Sequence, residues 1–191
     1  MNDIPLVRCG WSNKNELYQK YHDEEWGVPV YDDKKLFEFI ILEGAQAGLS
    51  WIAILRRREG YRKAFANFEV KEVASFDKKK VDELLCNRAI IRNKLKINAA
   101  IGNAQNFIRV QKEFGSFSNY IWRFNNGKVI MNHPKTLAEI PATSKESDTL
   151  SKDLKMRGFK FVGSTIMYAH MQATGMVNDH LEKCWCKYRN A

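Results

Sequence analysis

SKDLKMRGFKFVGSTIMYAHMQATG, residues 151–175, is the stretch on which the fold turns. It predicts a helix that stops at Gly158, a compact turn Phe159-Lys160-Phe161-Val162-Gly163, and a second helix capped by Ser164 and ended at Gly175. This is a helix-hairpin-helix outline. In such an arrangement the turn's backbone N–H groups and those of the following N-terminus, at Gly163, Ser164 and Thr165, point outward together as a seat for a phosphate oxygen. Lys160 adds a charge. An ordinary αα-hairpin, with glycines that only permit close packing, fits the same outline. The formal charge of +9 tips the balance toward DNA, because clustered Lys and Arg release counterions condensed on phosphates.

Outward from this segment, apolar positions recur at helical spacing and few runs alternate like strands, so the class is all-α. Asp32 and Asp33 are caps for a helix from Lys34 to about Ala47, and Ser50 caps another carrying Trp51, Ile54 and Leu55, with Gly48 between them. Further helices are expected over Gly60 to Phe65, Lys79 to Cys86, Ile91 to Glu113, Ser118 to Phe124 and Ser147 to Met156. Asn125 to Pro141, with Asn-Gly and two prolines, reads as a loop or brief ribbon.

At 191 residues the chain suits a single domain over 1–191, or two lobes sharing a cleft. No apolar run approaches the roughly 20 residues of a membrane-spanning helix, so the expectation is a soluble intracellular protein. Its four cysteines then fit metal binding better than disulfides. Cys9 and His22 near one end, with His180 and Cys184 near the other, offer two thiolates and two imidazoles, the closed tetrahedral set of a structural zinc. Cys186 is an alternative to Cys184. Cys86, His133 and His170 have no partner at ligand spacing and read as ordinary side chains.

One carboxylate is out of place. Glu43 shares a stripe with Leu36, Ile40 and Ala47, whereas Glu38 lies on another face near Lys34 and Lys35. A carboxylate turned to a core or cleft requires a partner or a ligand. Trp11, Tyr18, Tyr21, Trp26 and Tyr31 precede it and Trp51 follows. Aromatics usually just fill cores. An acid among them nevertheless suits a flat cationic heterocycle, at about 0.5–2 kcal/mol per cation–π contact.

The strings RCGW (8–11), YHDEEWGVP (21–29), LFEFIILEGAQAGLSW (36–51), RGFKFVGSTI (157–166) and VNDH (177–180) together resemble the bacterial DNA-3-methyladenine glycosylase I family, over essentially the whole chain. That resemblance implies the helix-hairpin-helix DNA glycosylase fold, with two helical lobes around a cleft. It implies excision of 3-methyladenine from double-stranded alkylated DNA by a cytoplasmic monomer without organic cofactor. It also implies one structural Zn2+ joining the termini through Cys9, His22, His180 and Cys184. Glu43 would bind the flipped base and act in catalysis, Trp51 would stack on it, and Tyr21, Tyr18 and Trp26 would complete the wall.

Three positions depart from, or refine, that pattern. Asn178 stands where many superfamily members place a catalytic Asp, and Asp179 beside it is expected to point elsewhere. Thr165 occupies the place of the nucleophilic Lys of bifunctional relatives, which implies base release without strand cleavage. Ala89 sits where a turn glycine is expected, so that corner should differ locally. A non-catalytic zinc-stabilised DNA-binding module and an RNA- or nucleotide-directed hydrolase are the competing functional classes.

Overall fold

The computed structural model describes residues 6–189, and among them ten α-helices carry the architecture. They are α1 (Glu16–Glu24), α2 (Asp33–Gln46), α3 (Trp51–Leu55), α4 (Arg58–Ala64), α5 (Val70–Ala74), α6 (Lys78–Cys86), α7 (Lys94–Phe114), α8 (Phe117–Trp122), α9 (Lys145–Met156) and α10 (Ser164–Ala173). The 125–141 segment contributes the brief ribbon: β1 (Ile130–Met131) pairs in parallel with β2 (Val177–Asn178).

Short polar side chains start most of these helices. Asp32 accepts from the Lys35 amide at 2.8 Å and caps α2, Asp77 caps α6, Asn93 caps α7, and Ser144 with Ser147 forms a capping box on α9. Asn93 explains why α7 begins three residues later than the periodicity predicts. Asp33 does something else: its carboxylate accepts from the amides of Phe117 and Ser118 and from Gln111, fixing the start of α8 against α2. Ser164 is not a cap. It is the first residue of α10, preceded by Gly163, and no side chain caps that helix.

α2 is central, and every residue from Leu36 to Ala45 is buried. Phe37 meets Phe107 of α7 edge-on, and Phe107 stacks on Phe117 with centroids 4.0 Å apart. At the C-terminal end, Lys96 reaches from α7 to the carbonyls of Ala45 and Ala47, at 2.8 and 2.6 Å, satisfying acceptors the helix leaves open. Because α2 has no wet face, the stripe that separated Glu43 from Glu38 does not separate inside from outside. Glu38 is buried as well. It differs by its partners, accepting from Arg58 at 2.7 Å and pairing with Arg62 and Lys35.

Two close approaches depend on glycine. Gly175 follows α10 at φ +68°, and a Cβ there would lie 2.3 Å from the backbone of Val28 and Pro29. Gly60 faces Ala89 so closely that a Cβ would come 2.4 Å from the Ala89 carbonyl oxygen. Ala89 itself is not among the positive-φ residues, so it is not asked to adopt a left-handed turn.

Arg58 ties α4 to the end of α1 and to α2 by a bidentate pair with Glu25, 2.7 Å on each arm, beside its bond to Glu38. Burial pushes the Glu25 carboxyl up, but Arg58 and Lys35 outweigh it and bring it down to about 2 from 4.5. A depressed carboxylate stabilises the fold above pH 4.5 and loses that contribution as pH falls toward 2. Glu25→Gln is therefore expected to lower unfolding free energy by roughly 2 kcal/mol at pH 7. In urea melts the gap between variant and wild type should shrink as pH drops below 4.5.

Candidate functional site

Between α1, α2, α3 and α10 lies a cavity of about 390 Å³ lined by Trp11, Tyr18, Tyr21, Trp26, Glu43 and Trp51, with Gln46, Gln172, Leu137 and Ile140 at its edges. The five residues predicted for the pocket are all present in its wall. α2 supplies Glu43 from the buried core, α1 supplies Tyr18 and Tyr21 one turn apart, and Trp51 opens α3. Tyr18 is fixed by its hydroxyl, which accepts from the Ile52 amide at 3.1 Å. Tyr21 and Trp51 stand with centroids 5.6 Å apart and tilted by 57°, and both line the cavity with Glu43.

Glu43 is 3% exposed, and one partner holds it: Oε2 lies 2.7 Å from His170 Nδ1. Oε1 has no partner, nor has Trp51 Nε1. Buried polar atoms are rarely left so, and two of them on residues lining one cavity mark a place for a polar ligand. Burial pushes the Glu43 carboxyl above its usual range and His170 pulls it part of the way back. A larger cleft of about 520 Å³ lies on the other side of Tyr21, but its central charges, Arg58, Glu25 and Lys35, are already paired with one another. The smaller cavity is the candidate.

Directly behind the aromatic wall, Cys9, His22, His180 and Cys184 converge, their ligand atoms all within 4.8 Å of one another and all four residues buried. Cys184 Sγ is 3.4 Å from both His22 Nε2 and His180 Nδ1, and Cys9 Sγ is 3.7 Å from His180 Nδ1. Those separations fit the edges of a tetrahedron, about 3.3–3.8 Å long for metal–ligand bonds of 2.0–2.3 Å. The far ring nitrogens are engaged too: His22 Nδ1 meets Asp23 at 2.8 Å, itself held by Arg8, and His180 Nε2 meets the Trp26 carbonyl at 3.0 Å. Such outer partners fix which nitrogen faces a metal. Cys186 lies on the Nδ1 side of His22 at 3.9 Å, so Cys184, not Cys186, completes the four.

The sequence model for methyladenine glycosylases matches residues 11–188. The chain belongs to that family. It is 49% identical over 181 residues to DNA-3-methyladenine glycosylase 1 of Escherichia coli (strain K12), covering 95% of this chain and 97% of the relative. A crystal structure of a 3-methyladenine DNA glycosylase I superposes with a TM-score of 0.92 at 47% identity, over 94% of this chain and 99% of that one. Another, of a variant glycosylase I in complex with 3-methyladenine, gives 0.91 at 34% identity, over 94% and 97%.

The turn between α9 and α10 is held by a residue that the sequence pattern does not single out. Asn103, on α7, accepts from the Lys160 amide at 2.9 Å and donates to the Lys160 carbonyl at 3.0 Å. The Lys160 amide is thus occupied, which removes it from the expected phosphate seat. Its side chain is exposed, and the Gly163, Ser164 and Thr165 end of α10 remains uncapped. Phe161 adopts φ +57° in the turn, a left-handed conformation costing about 1–2 kcal/mol for an L-residue.

Asn178 and Asp179 are both turned away from the cavity. Asn178 donates to the Lys187 carbonyl and accepts from the His180 amide. Asp179 accepts from Tyr168, Gln172 and Asn132. Tyr31 is exposed and stacks on Trp122, outside the aromatic group it was read with. His170, read as unpartnered, is Glu43's partner. Trp11 touches Tyr18, Tyr21 and Trp26 and belongs to the wall; its place in the aromatic run was the available signal.

Removing both hydrogen bonds with Asn103→Ala should destabilise the protein by about 1–3 kcal/mol, since the turn's amide and carbonyl lose their partner. Hydrogen exchange measured by NMR should show the Lys160 amide losing protection before the amides of α7.

Proposed function

We propose that this chain is a monofunctional DNA glycosylase that hydrolyses the N-glycosidic bond of 3-methyladenine in alkylated duplex DNA. The observation that carries the reading is the half-satisfied, fully enclosed Glu43 carboxylate facing an aromatic cavity. A carboxylate there favours a purine made cationic by N3-methylation over neutral adenine, and the faces of Tyr21 and Trp51 add cation–π attraction. The relative solved with 3-methyladenine supports the same ligand.

The chemistry asks little of the protein beyond extrusion and binding. The C1′–N9 bond breaks with its electron pair moving to the base, which leaves neutral. Water adds to the sugar's C1′ and releases its proton to solvent. Tyr18, Trp26 and Glu43 hold the base in place. Thr165 offers no amine for a Schiff base, and Asn178 and Asp179 are committed to internal hydrogen bonds, so base release is the whole reaction.

The donor set of Cys9, His22, His180 and Cys184 suits one structural Zn2+, with no ligand position left for water. When bound, that ion would supply rigidity, clamping the segment around Cys9 to the one around Cys184. In the helix-hairpin-helix reading, Lys160 and the amides of Gly163, Ser164 and Thr165 receive a DNA phosphate.

Chromatography of bases released from methylated duplex DNA should detect 3-methyladenine, and its absence would defeat the proposal. Glu43→Gln should reduce kcat/KM by about 10- to 100-fold, the worth of a hydrogen bond to a charged group, while leaving the melting curve cooperative. Lys160→Ala should weaken duplex affinity and lower the salt slope by about one. Metal analysis should find one zinc per chain, lost in Cys184→Ser together with several degrees of Tm.

A further inference from the structure

The Glu43–His170 hydrogen bond is a buried contact beside the cavity that the functional reading leaves unused. His170 is fully buried behind Glu43 and is not itself part of the cavity wall. A separation of 2.7 Å between Nδ1 and Oε2 requires a hydrogen between them. The other ring nitrogen, Nε2, is buried with no protein partner. A proton there would be an unpaired donor in the core, so the ring's single proton belongs on Nδ1, as assigned from its partners, and is donated to Glu43. The carboxylate then keeps its charge, and its second oxygen is left for the cavity.

We propose that His170 is a positioning residue for base recognition: its Nδ1–H occupies Oε2 of Glu43, holds the carboxylate ionised, and leaves Oε1 as the acceptor presented to a cationic purine. The inference rests on the glycosylase reading and adds to it the device that sets the pocket's charge. Without a donor at Oε2, a carboxyl group enclosed among rings takes up a proton instead of bearing a charge. A protonated Glu43 would no longer favour the cationic lesion over normal adenine.

The surroundings leave His170 as the group that sets this charge. From α1, the Tyr21 phenol faces the pair, with the mutually paired Glu25 and Arg58 beyond it. From α7, the Lys96 ammonium is spent on the carbonyls of Ala45 and Ala47. On α10 and the segment after β2, Tyr168 and Asp179 bond each other. α3 contributes the uncharged Trp51 indole. None of these groups is hydrogen-bonded to Glu43.

The test uses His170→Phe, which fills the space without a donor, and His170→Asn, whose amide nitrogen can stand where Nδ1 does. Single-turnover excision from methylated duplex DNA is followed from pH 5 to 9, together with the 13Cδ shift of Glu43 by NMR. In His170→Phe the rate at pH 7 should fall about 10- to 100-fold and recover as pH rises. The carboxyl signal should titrate at higher pH than in wild type. His170→Asn should restore most of the rate, and in a Glu43→Gln background His170→Phe should change it less than about twofold. An unchanged pH profile and carboxyl titration in His170→Phe would overturn the proposal. So would a His170→Asn variant as impaired as His170→Phe, or an equal loss in the Glu43→Gln background. If His170→Phe fails to fold, His170→Asn decides the matter: a near wild-type rate with an unshifted Glu43 carboxyl titration supports the proposal, and a lost rate with that titration unchanged overturns it. Wild-type protein that releases no 3-methyladenine at all defeats the functional reading instead.

Discussion

A carboxylate shut away from water is the constraint around which this molecule is arranged. Glu43 sits in the middle of a helix buried along ten consecutive residues, where ionisation is opposed by every apolar neighbour. A protein concerned only with stability would place Leu or Met there. Here the helix is instead anchored at both ends, by Asp32 at its start and Lys96 at its finish, so the acid is carried on one of the stiffest elements available. Precision at the cavity follows from that stiffness, because a side chain on a capped and enclosed helix has few alternative positions.

The second organising feature is the contact between the cysteine–histidine cluster and the aromatic wall. Trp26 lies 4.6 Å, centroid to centroid, from His180 and lends it a carbonyl, while Trp11 packs on His22 and on Trp26. The wall of the cavity and the four-residue cluster therefore share side chains. With zinc in the cluster, as proposed, the ion's influence would reach the ring positions directly and not merely tether distant segments.

The parts of this arrangement that were legible in the sequence are those that follow from local pattern. The Asp32 cap, most helix spans and the α9–turn–α10 outline come from residues a few positions apart, although Ser50 and Ser164 make no capping bond, and Glu43 stands out because an acid interrupts an apolar run. What was hidden depends on long-range partnership. His170 lies 127 positions from Glu43, and nothing in the spacing of either residue announces the other. Asn103 is one more polar residue on a long helix until the Lys160 backbone is brought to it. Periodicity sets Glu38 on another face beside Lys34 and Lys35, but it cannot detect that α2 is enclosed along its length and buries Glu38 too. Tyr31 and Trp11 belong to one aromatic run, yet the first stacks outward on Trp122 and the second faces inward; only the tertiary path of residues 10–32 separates them.

The pairing of Cys9 and His22 with His180 and Cys184 also bears on how the protein comes into being. A ribosome delivers the first half of the cluster long before the second, so the nascent chain holds a half-built ligand set whose histidine partner for Trp26 is still missing. Helices α5 to α8 pack on one another and on α2, which is made before them, and so can settle as they emerge. The Trp26 edge of the cavity wall lacks its His180 neighbour until residues 180–184 leave the exit tunnel, more than 150 positions after Trp26 itself.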